Sequence, residues 1–312
     1  MDRPPLQHPR IVSLLPAATE IVAALGLRSH LVGRSHECDE PADVATLPAL
    51  TAARIDAKLS SREIHEQVGG AATFSALYSL DIDQLAALKP DLILTQAACE
   101  VCAISAHDVA AAVRQAGVNT QVIALSPTTL ADLMRDILAV GRATDRLPKA
   151  REVVARLRAR IDSVACRGQA LPDRPRVAVI EWLDPPMAAG NWVPEMVRLA
   201  GGIDVLGKTG SHSHWITWDN VATADPDILI LVPCGFTLDR VLAEANSPAV
   251  RRHIEELRAW RDGNVYAVDG HHLFNRPGPR LVDSLEVLAE LLHPGRFRFA
   301  HKLRAWSRVS SD

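Results

Sequence analysis

Short apolar runs and amphipathic stretches alternate along this chain, and the alternation happens twice. Arg10-Ile-Val-Ser-Leu-Leu15 is an apolar run that stops at Pro16, and Ala17 to Leu25 then repeats apolar residues at helical spacing up to Gly26. The same wording returns at Arg176-Val-Ala-Val-Ile-Glu181 and Pro194-Glu-Met-Val-Arg-Leu-Ala-Gly201. A second pair follows in each half, Leu88-Lys-Pro-Asp-Leu-Ile-Leu94 and Ala224-Asp-Pro-Asp-Ile-Leu-Ile230, and a third, Val122-Ile-Ala-Leu125 and Val265-Tyr-Ala-Val268. Strands alternating with helices predict parallel sheets, and two copies of one plan predict two α/β lobes with a ligand cleft between them.

In the first half the pattern predicts strands at 10–15, 31–34, 91–95 and 120–125, with helices at 17–25, 81–88 and 106–116. From Thr128 to Cys166, residues such as Leu130, Leu133, Ile137, Val153, Leu157 and Ile161 keep a helical spacing, interrupted only around Asp145 to Pro148. That spacing predicts one long kinked rod joining the lobes. In the second half, strands are expected at 177–181, 228–232 and 265–268, a long loop at 182–194, and helices at 195–200 and 281–292. The lobes are then 1–127 and 169–295, with 128–168 as the bridge and 296–312 as a basic tail. The tail carries Arg296, Arg298, Lys302, Arg304 and Arg308 and reads as a solvated segment.

Composition narrows the function classes. Apolar residues make up 48% of the 312 and charged residues 23%, the balance of a globular protein. A formal charge of −3 gives no field that would gather nucleic acid. No apolar run reaches the roughly 18 residues that a membrane span needs, so a membrane-embedded protein is not expected. The first ten residues enter the first strand without an apolar leader. A cytoplasmic location is therefore expected, or a periplasmic one if the N-terminus has been trimmed. Five cysteines in a chain of this size are expected to be reduced.

Ligands of open parallel sheets bind beyond the carboxyl ends of the strands, so the loops there carry the candidate chemistry. The first half offers His36, Glu37, Cys38, Cys99 and Cys102; the second offers Glu181, Trp182, Trp192, Trp215, Phe236, His271, His272, Phe274 and Arg276. Four of the six tryptophans fall between 182 and 218, in loops or at loop edges, where indole faces suit a flat apolar ligand or else roof a core. Cys99-x-x-Cys102 is read three ways: two small residues packed under a turn, half of a metal site completed by Cys38 and His36, or a redox pair. A histidine pair at 271 and 272 has the chemistry to ligate a metal centre, and Arg276 to hold an anionic group. The first turn, Leu14-Leu-Pro-Ala-Ala18, lacks the glycines of a dinucleotide fingerprint, and no Gly-x-Ser-x-Gly elbow is present.

These motifs together, Arg10-Ile-Val-Ser-Leu-Leu-Pro-Ala-Ala-Thr-Glu20, Leu88 to Leu94 and Asp225-Pro-Asp-Ile-Leu-Ile230, resemble the ABC-transporter substrate-binding proteins of the helical-backbone class. That class includes binding proteins for cobalamin, haem and ferric siderophores, and the cobalamin branch is nearest in wording. The resemblance implies two Rossmann-like lobes joined by a single long helix, little hinge motion and a ligand held between the lobes. Carried over, the loops around Leu15-Pro16, His36-Glu37, Gln96, Trp182, Trp192 and 271–276 would face it. A permease partner would grip one glutamate per lobe, and here the matching positions hold Asp83 and Asp219, which shortens the reach. The expected function is non-catalytic binding of a corrinoid or similar metal chelate, with no cofactor required. The alternative is a metal-binding enzyme or metal-delivery protein using His36, Glu37, Cys38, Cys99 and Cys102.

Overall fold

Residues 6–69, 77–96 and 106–310 are described by the computed structural model. In chain order, the first half runs β1 (Ile11–Ser13), α1 (Pro16–Ala24), β2 (Leu31–Arg34), β3 (Thr51–Ala53), α2 (Ser61–Gly69), β4 (Tyr78–Leu80), α3 (Ile82–Leu88), β5 (Leu92–Gln96), α4 (Ala106–Ala116) and β6 (Gln121–Leu125). Two helices follow, α5 (Leu130–Ala143) and α6 (Leu147–Gln169). The second half runs β7 (Arg176–Leu183), β8 (Pro186–Ala188), α7 (Val193–Leu199), β9 (Ile203–Asp204), β10 (His214–Trp215), α8 (Trp218–Ala224), β11 (Ile228–Leu231), α9 (Leu238–Ala245), α10 (Pro248–Glu255), α11 (Arg258–Arg261), β12 (Val265–Val268), α12 (Leu281–Leu292) and β13 (Trp306–Arg308).

Contacts divide the chain into two units: Met1–Leu59, Glu66–Pro127 and Ala131–Arg156 in the first, and Ser60–His65, Thr128–Leu130 and Leu157–Asp312 in the second. In the first unit a parallel sheet has the order β2-β1-β5-β6. In the second, β9-β7-β11-β12 repeats that order in parallel, and antiparallel strands are added: β8 on β7, β10 on β8, and β13 on β12. The central strands are short unbroken apolar runs because both sheet faces are covered; every residue of β11 and β12 is buried.

The repeated wording has a physical cause. In both units an Asp after the Pro of the second motif staples the sheet's first strand. Asp91 Oδ2 accepts the Arg10 N–H at 2.8 Å and Asp227 Oδ2 accepts that of Arg176 at 2.7 Å. The arginine side chain then caps the preceding helix, Arg10 Nε on the Leu88 carbonyl and Arg176 Nη2 on that of Ala224. Each of those helices, α3 and α8, ends on a non-glycine residue in the left-handed region, Lys89 (φ 45°) and Asp225 (φ 40°), just before a proline that cannot continue it.

The single kinked rod expected between the lobes is two helices. Asp145 sits at φ 54°, and Thr144 turns its hydroxyl back onto the Val140 carbonyl, which ends α5; Pro148 is then tolerated in the first turn of α6. Gly141 lets α6 approach, since a Cβ there would run into Ala150. The last passage of the chain from the first unit to the second, between Arg156 and Leu157, falls within α6.

The expected solvated tail also needs correction. Its basic side chains are exposed, but Phe297, Ala305, Trp306 and Val309 are buried and β13 pairs with β12. The anchor is Glu290 on α12, a buried carboxylate. It accepts the backbone N–H groups of Phe299, Ala300 (2.7 Å) and His301 (3.2 Å) and the indole N–H of Trp306 (3.3 Å). One helical turn away, Glu286 bonds Arg160 and His301, and Arg160 also reaches Asp283. A further cation–π contact places Arg167 4.3 Å from the Phe297 ring.

Candidate functional site

The loops at the carboxyl ends of the strands carry the predicted residues, and the structure sorts them into exposed chemistry and buried support. In the first unit, Leu15 is buried and forms the extended N-cap of α1, with Pro16 at the first helical position. Cys38 is 1% exposed. Its sulfur lies 3.0 Å from the Thr19 hydroxyl, 3.4 Å from that of Ser35 and 3.9 Å from the Ser13 carbonyl, while Thr19 also donates to Ser13 Oγ. This hydroxyl cage under α1 makes Cys38 a packing residue rather than the metal ligand expected of it. His36 faces Thr51 instead, its Nδ1 2.7 Å from the hydroxyl that also accepts the His36 N–H, and its ring is 5.7 Å from Tyr78. Glu37 lies 3.3 Å from the other ring nitrogen. Gln96, partly buried, closes β5. Cys99 and Cys102 lie outside the described residues. Among the described residues, neither unit alone gathers three His, Cys, Asp or Glu ligand atoms around one point.

In the second unit several aromatic candidates turn inward. Phe236 and Phe274 are fully buried, and Trp192 is 8% exposed with its indole N–H on the Phe274 carbonyl at 2.7 Å. All three were expected to face ligand; instead they form a floor. Phe236 is sandwiched by the Trp182 edge (5.5 Å between ring centres) and the Arg240 guanidinium (3.3 Å). Trp182 keeps part of its surface, and its N–H donates to the Ser61 carbonyl. Trp215, on the edge strand β10, is 53% exposed and meets the His65 ring edge-on at 4.8 Å.

Burial also acts on Glu181, near the end of β7. Burial pushes its carboxyl above the ordinary range, partly offset by hydrogen bonds from the Ser213 hydroxyl (2.8 Å) and the Gly190 backbone. Ser213 also takes the Gly190 N–H, so one carboxyl fastens the β7–β8 hairpin to the segment before β10.

The loop after β12 is the most organised element. Gly270 has no room for a side chain, because a Cβ would collide with the Pro233 carbonyl oxygen, and its N–H and that of His271 both bond the Phe236 carbonyl. Asp269, which sequence reasoning missed, is the hub. Its Oδ1 accepts the N–H groups of His271 (2.9 Å) and His272 (2.8 Å), and its Oδ2 faces His272 Nδ1 at 2.8 Å. Burial alone would raise the Asp269 carboxyl, but these bonds outweigh it and hold the group below its ordinary value. Arg276, buried rather than open to an anionic ligand, directs a guanidinium nitrogen at His271 Nε2, 3.0 Å away. The Asp-Gly pair ahead of two N–H groups was the available signal, since an Asp commonly accepts from residues two and three positions on.

A model of the periplasmic binding protein family matches residues 11–271. The chain belongs to this family. Among curated relatives of this binding protein, the vitamin B12-binding protein of Vibrio cholerae is 25% identical over 291 residues, covering 92% of this chain and 90% of the relative. An uncharacterized ABC transporter substrate-binding lipoprotein, YvrC of Bacillus subtilis, is 25% identical over 293 residues, covering 93% and 81%. Among solved structures, a periplasmic heme binding protein from Pseudomonas aeruginosa superposes with a TM-score of 0.73 at 21% identity, covering 97% of this chain and 99% of that one. The vitamin B12 binding protein BtuF of Vibrio cholerae gives 0.67 at 21%, covering 93% and 98%. In this periplasmic binding protein, Asp83 and Asp219 are both exposed and sit at matching places, the first turns of α3 and α8. Among the described residues no helix is long and apolar enough to cross a membrane.

Proposed function

We propose that this periplasmic binding protein holds a corrinoid, or a comparable planar metal chelate, and releases it unchanged. Family membership across residues 11–271, with vitamin B12-binding relatives of nearly the same length, is the observation that carries the reading. The loops support it in kind: Trp182 and the histidine loop sit at the carboxyl ends of β7 and β12, two strands of one sheet that flank β11, where α/β sheets take their ligands. Covering about 200 Å² of a flat apolar ligand contributes about 5 kcal/mol at roughly 25 cal/mol per Å². Calorimetric titration with cobalamin, cobinamide, ferric haem and ferric siderophores tests it. A dissociation constant well below about 1 mM for one of them is expected, and no binding by any of them at that level ends the proposal.

The same reading gives the protein an ABC permease as partner, gripped through Asp83 and Asp219. Reversing both charges in a D83K/D219K variant is expected to abolish stimulation of that permease's ATPase while ligand affinity stays the same. Undiminished stimulation would remove these two acids from the docking surface.

A further inference from the structure

The segment after α12 turns its cations outward while its large aromatic side chains point in. Phe297, Ala305 and Trp306 are buried, whereas Arg296, Arg298, Lys302 and Arg304 are exposed. Among the described residues none of these four is in an ion pair. The chain carries no acid between Glu290 and Asp312 to offset them. The acids of the helix beneath are already engaged, Glu290 by backbone N–H groups of the segment and Glu286 by Arg160 and His301. A fifth cation joins the row from α6, because the exposed Arg167 donates to the Arg296 carbonyl.

Amid these charges stands Leu303, 74% exposed and the most exposed large apolar side chain among the described residues. It occupies the left-handed region at φ 64°, where glycine or asparagine would serve a turn better than leucine. The turn that presents it is closed by bonds from the Leu303 N–H to the Trp306 carbonyl and from the Ala305 N–H to the His301 carbonyl, both 2.8 Å. Glu290 fixes the turn to α12 through the backbone of Ala300 and His301 and the indole of Trp306. The leucine is therefore held out in water by a rigid support.

We infer that this face docks on an anionic lipid surface, with Leu303 entering the boundary between headgroups and acyl chains and the flanking cations resting on lipid phosphates. An apolar tip ringed by lysine and arginine suits that boundary, which offers hydrocarbon and negative charge within a few ångströms of each other. A nucleic acid offers the charge alone, and a leucine has no base-stacking face to bring to it. The formal charge of the whole chain is −3, so attraction is confined to this face and sets the orientation of the bound protein. Docking of this kind is peripheral and holds whatever ligand the protein carries.

Co-sedimentation of the full-length protein with vesicles tests it, using equal parts phosphatidylglycerol and phosphatidylcholine against phosphatidylcholine alone. Binding to the anionic vesicles only is expected, and raising the salt from about 0.1 M to about 0.5 M should release it. Neutralising three cations in R298Q/K302Q/R304Q should weaken binding by about a hundredfold, at about fivefold for each cation. L303N should weaken it by about tenfold while unfolding at no lower temperature than the wild type, because asparagine accepts the left-handed turn. Equal binding to both vesicle types, no binding to either, or wild-type affinity in both folded variants overturns the inference. So does an L303N variant that binds as the wild type does while duplex DNA competes the protein off the vesicles, since that result assigns the face to polyanions in general.

Discussion

Replacing Glu290 with alanine will lower the unfolding free energy by about 3 to 5 kcal/mol, the range expected when a buried charged acceptor is removed and its donors are left in place. Three consecutive backbone N–H groups and the Trp306 indole converge on this one carboxylate. Denaturant unfolding followed by tryptophan fluorescence measures the loss; a change below about 1 kcal/mol would show that the C-terminal segment holds without the anchor. Glutamine at the same position keeps one acceptor oxygen and should fall in between. The neighbouring Glu286–His301 pair adds a pH dependence whose sign follows from its two members. The Glu286 hydrogen bond lifts His301 above 6.5 against the effect of burial, so its contribution is complete below 6.5 and fades as pH rises through the folded value. Burial would raise Glu286, but the bonds from His301 and Arg160 prevail and hold it below 4.5, so its contribution is complete above 4.5 and fades as pH falls through the folded value. Stability from this pair is therefore greatest between pH 4.5 and 6.5. An H301A variant should lose the alkaline limb of the melting-temperature profile, and an unchanged limb would reject the assignment.

Phe236→Ala will act as a core truncation, with a loss of about 3 to 5 kcal/mol. The ring is 1% exposed and packs in one cluster with Ile180, Leu231, Val241 and Ala267, beneath Trp182 and Arg240. Its carbonyl also receives the N–H groups of Gly270 and His271, so collapse of the cavity would disturb the histidine loop above it. The prediction separates two roles. A residue that only touched ligand would lose affinity with its melting temperature unchanged, whereas F236A should lose stability first, and a fully stable variant would return Phe236 to the ligand face.

The fold was legible where periodicity and burial agree. Leu281 to Leu292 and Val265 to Val268 were readable to the residue, since one has a continuous helical stripe and the other an apolar run between turn residues. The duplicated Arg–Asp staples left a mark in the wording itself, because both need the same residues at the same spacing. The C-terminal strand was hidden because the basic residues around Phe297 and Trp306 dominate the local composition while their side chains simply point to water. The long loop expected at 182–194 concealed β8, a three-residue strand too short for alternation to register. For the candidate site, residue type indicated the right loops but not direction. Trp192, Phe236 and Phe274 are as apolar as an exposed platform would be, and only the packed structure distinguishes floor from surface. Cys38 failed as a metal candidate for a similar reason: the Thr19 and Ser35 hydroxyls and the Ser13 carbonyl that surround its sulfur are scattered in sequence.

β13 does more than fasten the chain's end. It covers the outer edge of β12, whose four residues are buried and would otherwise present a row of unmatched amides and carbonyls beside an apolar surface. A polypeptide truncated after α12 would lose this guard strand along with the groups that hold it. The bare edge would then be open to strand addition from another molecule, making self-association rather than simple loosening the expected outcome of losing the segment after α12.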